Sequence, residues 1–219
     1  MEYTLIRSRR KTLGLAITKD GALEVRAPLR LPRAAIDTFL IRKSGWIREK
    51  AALRQELLRE KALFRLEEGV QLPFLGREYT VRSGGGPSLE GESLSLPGRD
   101  LRREAEAFYR EEARHILLEK AAFWGNRMGL FPEGISVTGA RTRWGSCSAK
   151  GRINFSWRLL RAPEEAVDYV VVHELAHLRQ MDHSWQFWEI VARILPDWKR
   201  RRALLTPVQR RLEAEGWNG

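Results

Sequence analysis

Short runs of alternating apolar and polar residues open the chain and predict strands. The runs cover residues 3–7, 13–18 and 23–27, and this period of two is typical of a half-buried strand. Asp20 and Gly21 separate the last two runs, and an Asp-Gly pair is a strong hairpin signal. The chain is therefore predicted to begin with a basic β element.

Helical spacing replaces the alternation over residues 32–66. Apolar residues recur there every three or four positions, with an interruption at Ser44 and Gly45, so the stretch predicts two helices or one kinked helix. Strand-like alternation returns at residues 78–82 and 93–96, which are separated by glycine-rich turns. The first half of the chain therefore contains both kinds of element.

We place a domain boundary between the regions 1–98 and 99–219, because Pro97 begins a turn. Asp100 can then cap a long helix that runs to about Met128. The first region is a basic unit of hairpin, helix and strand, and the second carries the candidate chemistry described below. No internal repeat is evident.

A second hairpin and a helix follow the long helix. Residues 136–144 and 152–157 alternate like strands around a turn rich in Ser and Gly. Pro163 suits the first turn of a helix, which is predicted to extend to about Gln180. Because strands and helices occur in separate runs and not in regular alternation, the pattern predicts an α+β fold.

Composition and charge narrow the class of protein. The 219 residues are 43% hydrophobic, as in a globular protein of one or two domains, and the net charge is +11. Such charge attracts nucleic acid, phosphorylated ligands or anionic surfaces, although a solvated surface tuned for solubility explains it equally well. Cys147 is the single cysteine, which excludes an intrachain disulfide and suits a reducing compartment. Without a secretory or membrane-spanning apolar run, we expect a cytoplasmic protein, monomeric by default and without membrane partners.

The predicted helix after Pro163 contains the pattern His-Glu-x-x-His. Four helical residues turn by about 400°, so His173 and His177 lie on one face, one turn apart, where they can hold a metal ion. Glu174 adjoins the first of them and can activate a water molecule without coordinating the metal, as the general base of a metalloprotease does. The pattern favours zinc, which prefers nitrogen and sulfur ligands.

A catalytic zinc site usually has three protein ligands, and His183 is the candidate for the third. This assignment requires the helix to end between Gln180 and Asp182, because a continuous helix would carry His183 about 15 Å from His173. A following helix over residues 184–195, capped by Asp182 or Ser184, would fix the intervening turn. The alternative is a buried helix whose histidines satisfy each other by hydrogen bonds. His115, far along the chain, is interpreted as a surface residue.

The segment from Arg141 to Ser148 is rich in unusual residues. It is interpreted either as a wall of the substrate site, with Arg143 facing a developing oxyanion, or as a structural turn with Trp144 in the core and Arg143 in a salt bridge. Cys147 is interpreted as a buried structural thiol. Two acidic residues could orient ligand imidazoles but more often serve a helix surface or a cap; they are Asp168 and Asp182.

Three motifs together closely resemble the YgjP-like family of metallopeptidase domains: residues 142–148, residues 168–178, and His183 with Ser184, Phe187 and Trp188. The resemblance extends over nearly the whole chain. It implies a zincin-like domain with an active-site helix packed on a small sheet, three histidine ligands and a catalytic Glu. The chain is also similar to SprT-like and WLM proteases. A metzincin is excluded, because Gln180 replaces the glycine of its turn and no Met-turn follows.

The sequence supports three candidate functions. The first is zinc-dependent hydrolysis of peptide bonds in a peptide or protein substrate, with Glu174 as the base. The second is a metal-dependent phosphohydrolase that acts on nucleotides, which the basic charge favours and the imidazole-rich cluster disfavours. The third is a SprT-like protease that acts near DNA, contacting phosphates through basic residues of the first region: Arg7, Arg9, Arg10 and Lys11.

Overall fold

A computed structural model describes residues 2–218, so residues 1 and 219, which belong to the two predicted regions, lie outside the described residues. Within that range the chain forms two compact units. One extends to Phe64 and includes Glu213–Gly216, and the other consists of Arg65–Leu212 with residues 217 and 218. The α+β prediction is confirmed, since short sheets and helices occupy separate stretches of the chain. Over residues 2–218 no helix is long and apolar enough to cross a membrane.

The first unit contains one small sheet and two helices. Its elements are β1 (Thr4–Ser8), β2 (Gly14–Ile17), β3 (Leu23–Pro28), α1 (Arg33–Arg42) and α2 (Ser44–Leu63). The strand order is β1-β3-β2, with β1 parallel and β2 antiparallel to β3. Val25 and Ala27 on β3 pack against Ile36 and Leu40 on α1 to form the core. Two helices that meet at Lys43 agree with the predicted interruption.

The second unit begins with a four-stranded sheet and a long helix. Its first elements are β4 (Gln71–Phe74), β5 (Arg77–Ser83), β6 (Ser88–Glu90), β7 (Ser93–Leu96) and α3 (Leu101–Met128). The strand order is β4-β5-β7-β6. The Asp100 carboxylate accepts from Arg103 N at 3.1 Å, and Gly129 ends α3 with a φ of 65°. The predicted cap and the end of this helix are therefore confirmed.

The predicted division at residue 98 falls inside the second unit. Leu94 and Leu96 on β7 share a hydrophobic core with Leu101 and Ala105 on α3. Gly98 therefore forms a turn between packed elements, and its φ of 75° is one that glycine adopts without strain. Turn residues look the same in a sequence whether they connect two domains or two elements of one domain.

A three-stranded sheet of the second unit precedes the helix that contains the candidate ligands. It contains β8 (Gly134–Thr138), β9 (Gly145–Cys147) and β10 (Arg152–Ser156) in the order β8-β10-β9. The predicted strand over residues 136–144 is wrong in extent, because residues 139–144 leave the sheet. Trp144 O then accepts from Ser156 N, and Ala140 O accepts from Ser156 Oγ. The strand β8 pairs parallel with β10, and only the short edge strand β9 forms the hairpin with it.

The remaining elements are helical. They are a 3₁₀ helix (Trp157–Arg161), α4 (Glu164–Ala176), α5 (Trp185–Ile194), α6 (Trp198–Ala203) and α7 (Leu205–Ala214). The helix α4 packs against α3 and β9 and is buried nearly all round. Val167 and Val171 of α4 share the core with Leu117 of α3 and Phe155 of β10. This burial holds the backbone that carries the candidate ligands.

Candidate metal centre and active site

The end of α4 positions the three candidate ligands. The helix ends at Ala176, four residues before the predicted Gln180. Leu178 N donates to Leu175 O at 3.0 Å, and Arg179 N donates to Ala176 O at 3.1 Å, so the chain tightens into a turn just after the last helical residue. Because the chain turns this early, His183 can fold back toward the helix.

The three imidazoles meet in one cluster. His183 Nε2 lies 3.1 Å from His173 Nε2, and ligand nitrogens of His173, His177 and His183 all lie within 4.8 Å of one another. A hydrogen bond between two rings explains one such contact, but it does not explain the convergence of the third imidazole. The cluster has the donor number and chemistry of a three-histidine metal site.

The surroundings favour the neutral form of two of the rings, His173 and His177, and a backbone carbonyl orients the second of these. His177 Nδ1 lies 3.1 Å from the Gln180 carbonyl oxygen, so its N–H donates there and Nε2 remains free as a ligand. Burial, with the charges of the other two imidazoles, lowers the pKa of His173 to about 3. Burial also lowers the pKa of His177. Neutral imidazole is the form that binds a metal ion, so the residues present fit a divalent cation.

Glu174 is a buried carboxyl group with only 5% of its surface exposed. Burial raises its pKa to about 7, and the positive charge of Arg143 opposes that shift. The side chain lies against Gly145 of β9, where a Cβ would stand 2.6 Å from both Glu174 Cγ and Oε1. Gly145 has no positive φ, so its lack of a side chain, and not its backbone freedom, makes room for Glu174.

The loop between α4 and α5 is held by its own hydrogen bonds. Asp182 Oδ1 accepts from Ser184 N at 3.1 Å and from Gln180 Nε2 at 2.8 Å. Its carboxylate therefore shapes the loop that presents His183 and does not bond to an imidazole. The Ser184 side chain makes no cap bond. Asp168 is also structural, because it accepts from Lys120 Nζ at 2.8 Å and from Trp124 Nε1 at 3.0 Å.

Aromatic side chains of α5 pack against the cluster. The Phe187 ring stacks on His177 with centroids 4.4 Å apart and lies 4.8 Å from His173. The Trp188 ring lies 5.7 Å from His183. The helix predicted after His183 therefore forms and fixes the turn, as its apolar pattern indicated. His115 is exposed beside Glu111 on α3, outside the cluster, as predicted.

The segment around Arg143 borders an open cleft of about 320 Å³. We call it the Arg143 cleft, and its lining residues are Thr138, Ala140, Arg143, Gly145, Ser146, Asn154 and Ser156. Trp144 packs against the core, in agreement with the structural interpretation. Arg143 itself is exposed and forms no ion pair with any residue in the range 2–218, so the salt bridge of the structural interpretation does not form. The position of Trp144 therefore agrees with the structural interpretation, and a substrate wall at Arg143 stays a prediction.

Cys147 is the last residue of β9, and it is not part of the histidine cluster. Its side chain is half-buried, and its Sγ lies 3.6 Å from Ser148 O. Burial and the nearby Glu174 carboxylate both raise the pKa of the thiol. A raised pKa disfavours the thiolate that a nucleophile or a metal ligand requires, so Cys147 is a structural residue here.

Comparisons with known proteins identify a family and two similar proteins. A family model described as YgjP-like, metallopeptidase domain, matches residues 11–207. A UTP pyrophosphatase of Escherichia coli (strain K12) is 31% identical over 65 residues, which are 30% of this chain and only 39% of that protein. A crystal structure of the metallopeptidase zymogen of Pyrococcus abyssi abylysin is similar at 23% identity and a TM-score of 0.39. That similarity covers 42% of this chain and 92% of the other.

Proposed function

This chain belongs to the YgjP-like metallopeptidase family and is a metal-dependent hydrolase, and from that membership we propose that it cleaves peptide bonds with the help of zinc. The observation that carries the proposal is the convergence of three imidazoles beside a buried carboxyl group, that of Glu174, which follows the first of them in the sequence. We assign His173, His177 and His183 as the ligands. Three imidazoles favour zinc over Mg²⁺ or Ca²⁺, which prefer oxygen ligands.

A metal ion held by His173, His177 and His183 would supply Lewis acidity, to polarise a carbonyl and make water more acidic. Glu174 accepts the proton of the attacking water and then donates it to the nitrogen of the leaving amine. The Phe187 and Trp188 rings exclude bulk water from one side of the site and limit rotation of the imidazoles. The chain therefore contributes a proton carrier and a rigid, partly dry pocket.

The edge strand β9 offers a place for the substrate backbone. It pairs with β10 on one side only, so the N–H and C=O groups on its other side are available to an extended peptide. Glu174 packs directly against Gly145 of this strand. A peptide that pairs with β9 therefore passes beside the proposed base.

Replacement of Glu174 by Gln tests the assignment of the base. We expect Glu174→Gln to keep zinc, because the three ligands are intact, and to lower the rate of peptide hydrolysis by about two to four orders of magnitude. Metal content and cleavage of a peptide library are measured on the same preparation. His183→Ala should lose zinc, while His115→Ala, the matched control outside the cluster, should keep both zinc and activity. A Glu174→Gln variant that cleaves as fast as the parent excludes Glu174 as the base.

A second candidate function is hydrolysis of a nucleoside triphosphate. The observation in its favour is the similarity to the UTP pyrophosphatase of Escherichia coli, together with the exposed Arg143, whose positive charge acts on Glu174. Enzymes of this type usually gather carboxylates that hold Mg²⁺. Among residues 2–218 the histidine triad is the one cluster of three or more His, Cys, Asp or Glu side chains that could hold a metal ion, and it contains no carboxylate. The donor set therefore favours the peptidase.

A further inference from the structure

The edge strand β9 separates two different surfaces of its sheet. Gly145 and Cys147 pair with Phe155 and Ile153, which are buried, and Glu174 packs on this face. Side chains alternate along a strand, so Ser146 points to the opposite face. The floor of the Arg143 cleft lies on that opposite face, because the side chains of Ser146 and its partner Asn154 line it, while Gly145, which has no side chain, borders the cleft as well.

The floor of the cleft is polar and regular. Asn154 of β10 pairs with Ser146 of β9, and Ser156 of β10 pairs with Thr138 of β8. These four side chains all line the cleft. The Ser156 and Thr138 hydroxyls donate to Ala140 O and Phe155 O, so the Ser146 hydroxyl and the Asn154 amide are the groups that can donate to a ligand. A surface of short donors, without a large apolar side chain, suits a polar group and not an aliphatic one.

The charge at the cleft is positive. Arg143 is the one charged side chain of its lining, and no carboxylate lines it. Below the rim, Arg158 Nη1 donates to Gly139 O at 2.9 Å, and the Arg110 guanidinium lies against Gly139, 2.8 Å from the place where a Cβ would stand. Glu106 is paired with Arg110 at 2.7 Å and offsets its charge. The exposed Arg143 is therefore the main source of positive potential at this cleft, which favours an anionic ligand.

A peptide paired with β9 would send alternate side chains to the two faces. Those on the face of Gly145 approach Glu174 and the metal centre, and those on the face of Ser146 enter the Arg143 cleft. The volume of about 320 Å³ is near the lower limit for a ligand pocket. It accommodates one side chain of the substrate.

We propose that the Arg143 cleft is a specificity subsite for an acidic side chain, Asp or Glu, of the peptide substrate. The Arg143 guanidinium binds the carboxylate, and the Ser146 hydroxyl and the Asn154 amide donate to its oxygens. A single cation suits one carboxylate, whereas a triphosphate usually requires several cationic groups. This inference rests on the proposed peptidase function.

Matched peptides measure the preference. Glu is scanned through each position of a cleaved peptide and compared with Gln at the same position, using the full-length, zinc-loaded protein. We expect kcat/KM to be about tenfold or more higher for Glu at one position, and Arg143→Gln to abolish that ratio. Arg141→Gln, an exposed neighbour that does not line the cleft, should preserve it. If Arg143 instead stabilised an oxyanion, its loss would slow Glu and Gln peptides equally, and the proposal would be overturned.

Binding without turnover tests the subsite separately from the peptidase function. The ¹⁵N-labelled protein is titrated with N-acetylglutamate α-amide, with the corresponding glutamine compound, and with inorganic phosphate. We expect the glutamate compound alone to shift the Ser146 and Asn154 amides, and Arg143→Gln to remove the shift. Shifts from phosphate but not from the glutamate compound, or shifts away from the cleft, overturn the proposal even if peptides are cleaved.

Discussion

At the scale of single residues, the position of the proposed base depends on a glycine. The Glu174 side chain occupies the space that a Cβ on Gly145 would need. The backbone at this position has no positive φ, so alanine is acceptable to the strand itself. The contact links α4 to the edge strand beside which the substrate is proposed to lie.

We expect Gly145→Ala to lower peptide hydrolysis by about a hundredfold, because displacement of a reacting group by about 1 Å has an effect of this size. Zinc content should change little, since none of the ligands moves. Gly134→Ala on β8 is the matched control, because a Cβ there lies 3.6 Å from Arg152 Nη2, an ordinary contact. Equal activity of the two variants contradicts the role assigned to Gly145.

The residues of the candidate site differ in how far the sequence predicts them. His173, Glu174 and His177 follow from the period of one helix, because the spacing alone places the two histidines on one face. Gly145 was not identified, since its importance arises from packing against a residue 29 positions away. A glycine inside a strand-like run indicates that another group approaches the backbone closely at that position. It does not identify the approaching residue, which here is Glu174.

At the scale of elements, the loop between α4 and α5 brings the third ligand to the other two. His183 is exposed, and its position depends on the turn after Ala176, the bonds of Asp182 and the aromatic rings of α5. The assignment of His183 as a ligand required the helix to end before Asp182. The helix ends at Ala176, four residues before the predicted end at Gln180. Hydrophobic periodicity continues through Leu178, so it does not mark where the backbone turns.

Asp182→Ala should weaken zinc binding by about tenfold, because the loop loses the acceptor for Ser184 N and Gln180 Nε2. Activity at saturating zinc should remain close to that of the parent, as no ligand is removed. Competition with a zinc chelator measures the affinity. Asp182→Asn keeps an acceptor oxygen and should bind zinc like the parent. If the alanine and asparagine variants bind zinc equally, the hydrogen bonds of Asp182 do not position His183.

At the scale of the whole molecule, the charge is concentrated in the first unit. Residues 1–64 and 213–216, which make up this unit, contain 15 Lys and Arg against 9 Asp and Glu, a net charge of +6 out of the total of +11. Arg7 is committed to structure, because its Nη1 donates to the carbonyls of Pro28, Leu29 and Leu31 at 2.8 to 3.0 Å. Arg9 and Lys11 are exposed and are the better candidates for phosphate contacts.

We expect the protein to bind duplex DNA at low salt, with an affinity that falls linearly on a log–log plot against salt concentration. Replacing Arg9 and Lys11 by Gln should reduce the slope by about two, because each of these side chains neutralises about one phosphate. Replacing Lys150 and Arg193 of the second unit in the same way is the control and should leave the slope unchanged. Absence of DNA binding at low salt contradicts a nucleic-acid role for the first unit.

Much of the molecule was predictable from local patterns, and the remainder depends on contacts distant in sequence. The long helix α3, with its Asp100 cap and Gly129 stop, follows from local signals. The parallel pairing of β8 with β10 and the division of the chain near Phe64 do not, because both depend on which surfaces pack together. Local composition at Pro97 and Gly98 is the same for a turn as for a linker.

Zinc-dependent cleavage of peptides is tested most directly by one digest with the full-length protein. A peptide library and UTP are incubated in parallel with protein of measured zinc content, with and without a chelator, and the products are identified by mass spectrometry. We expect new peptide termini that disappear with the chelator and return with added zinc, while UTP stays intact. Release of UMP and pyrophosphate from UTP in a Glu174-dependent manner, with every peptide intact, would contradict the proposed function.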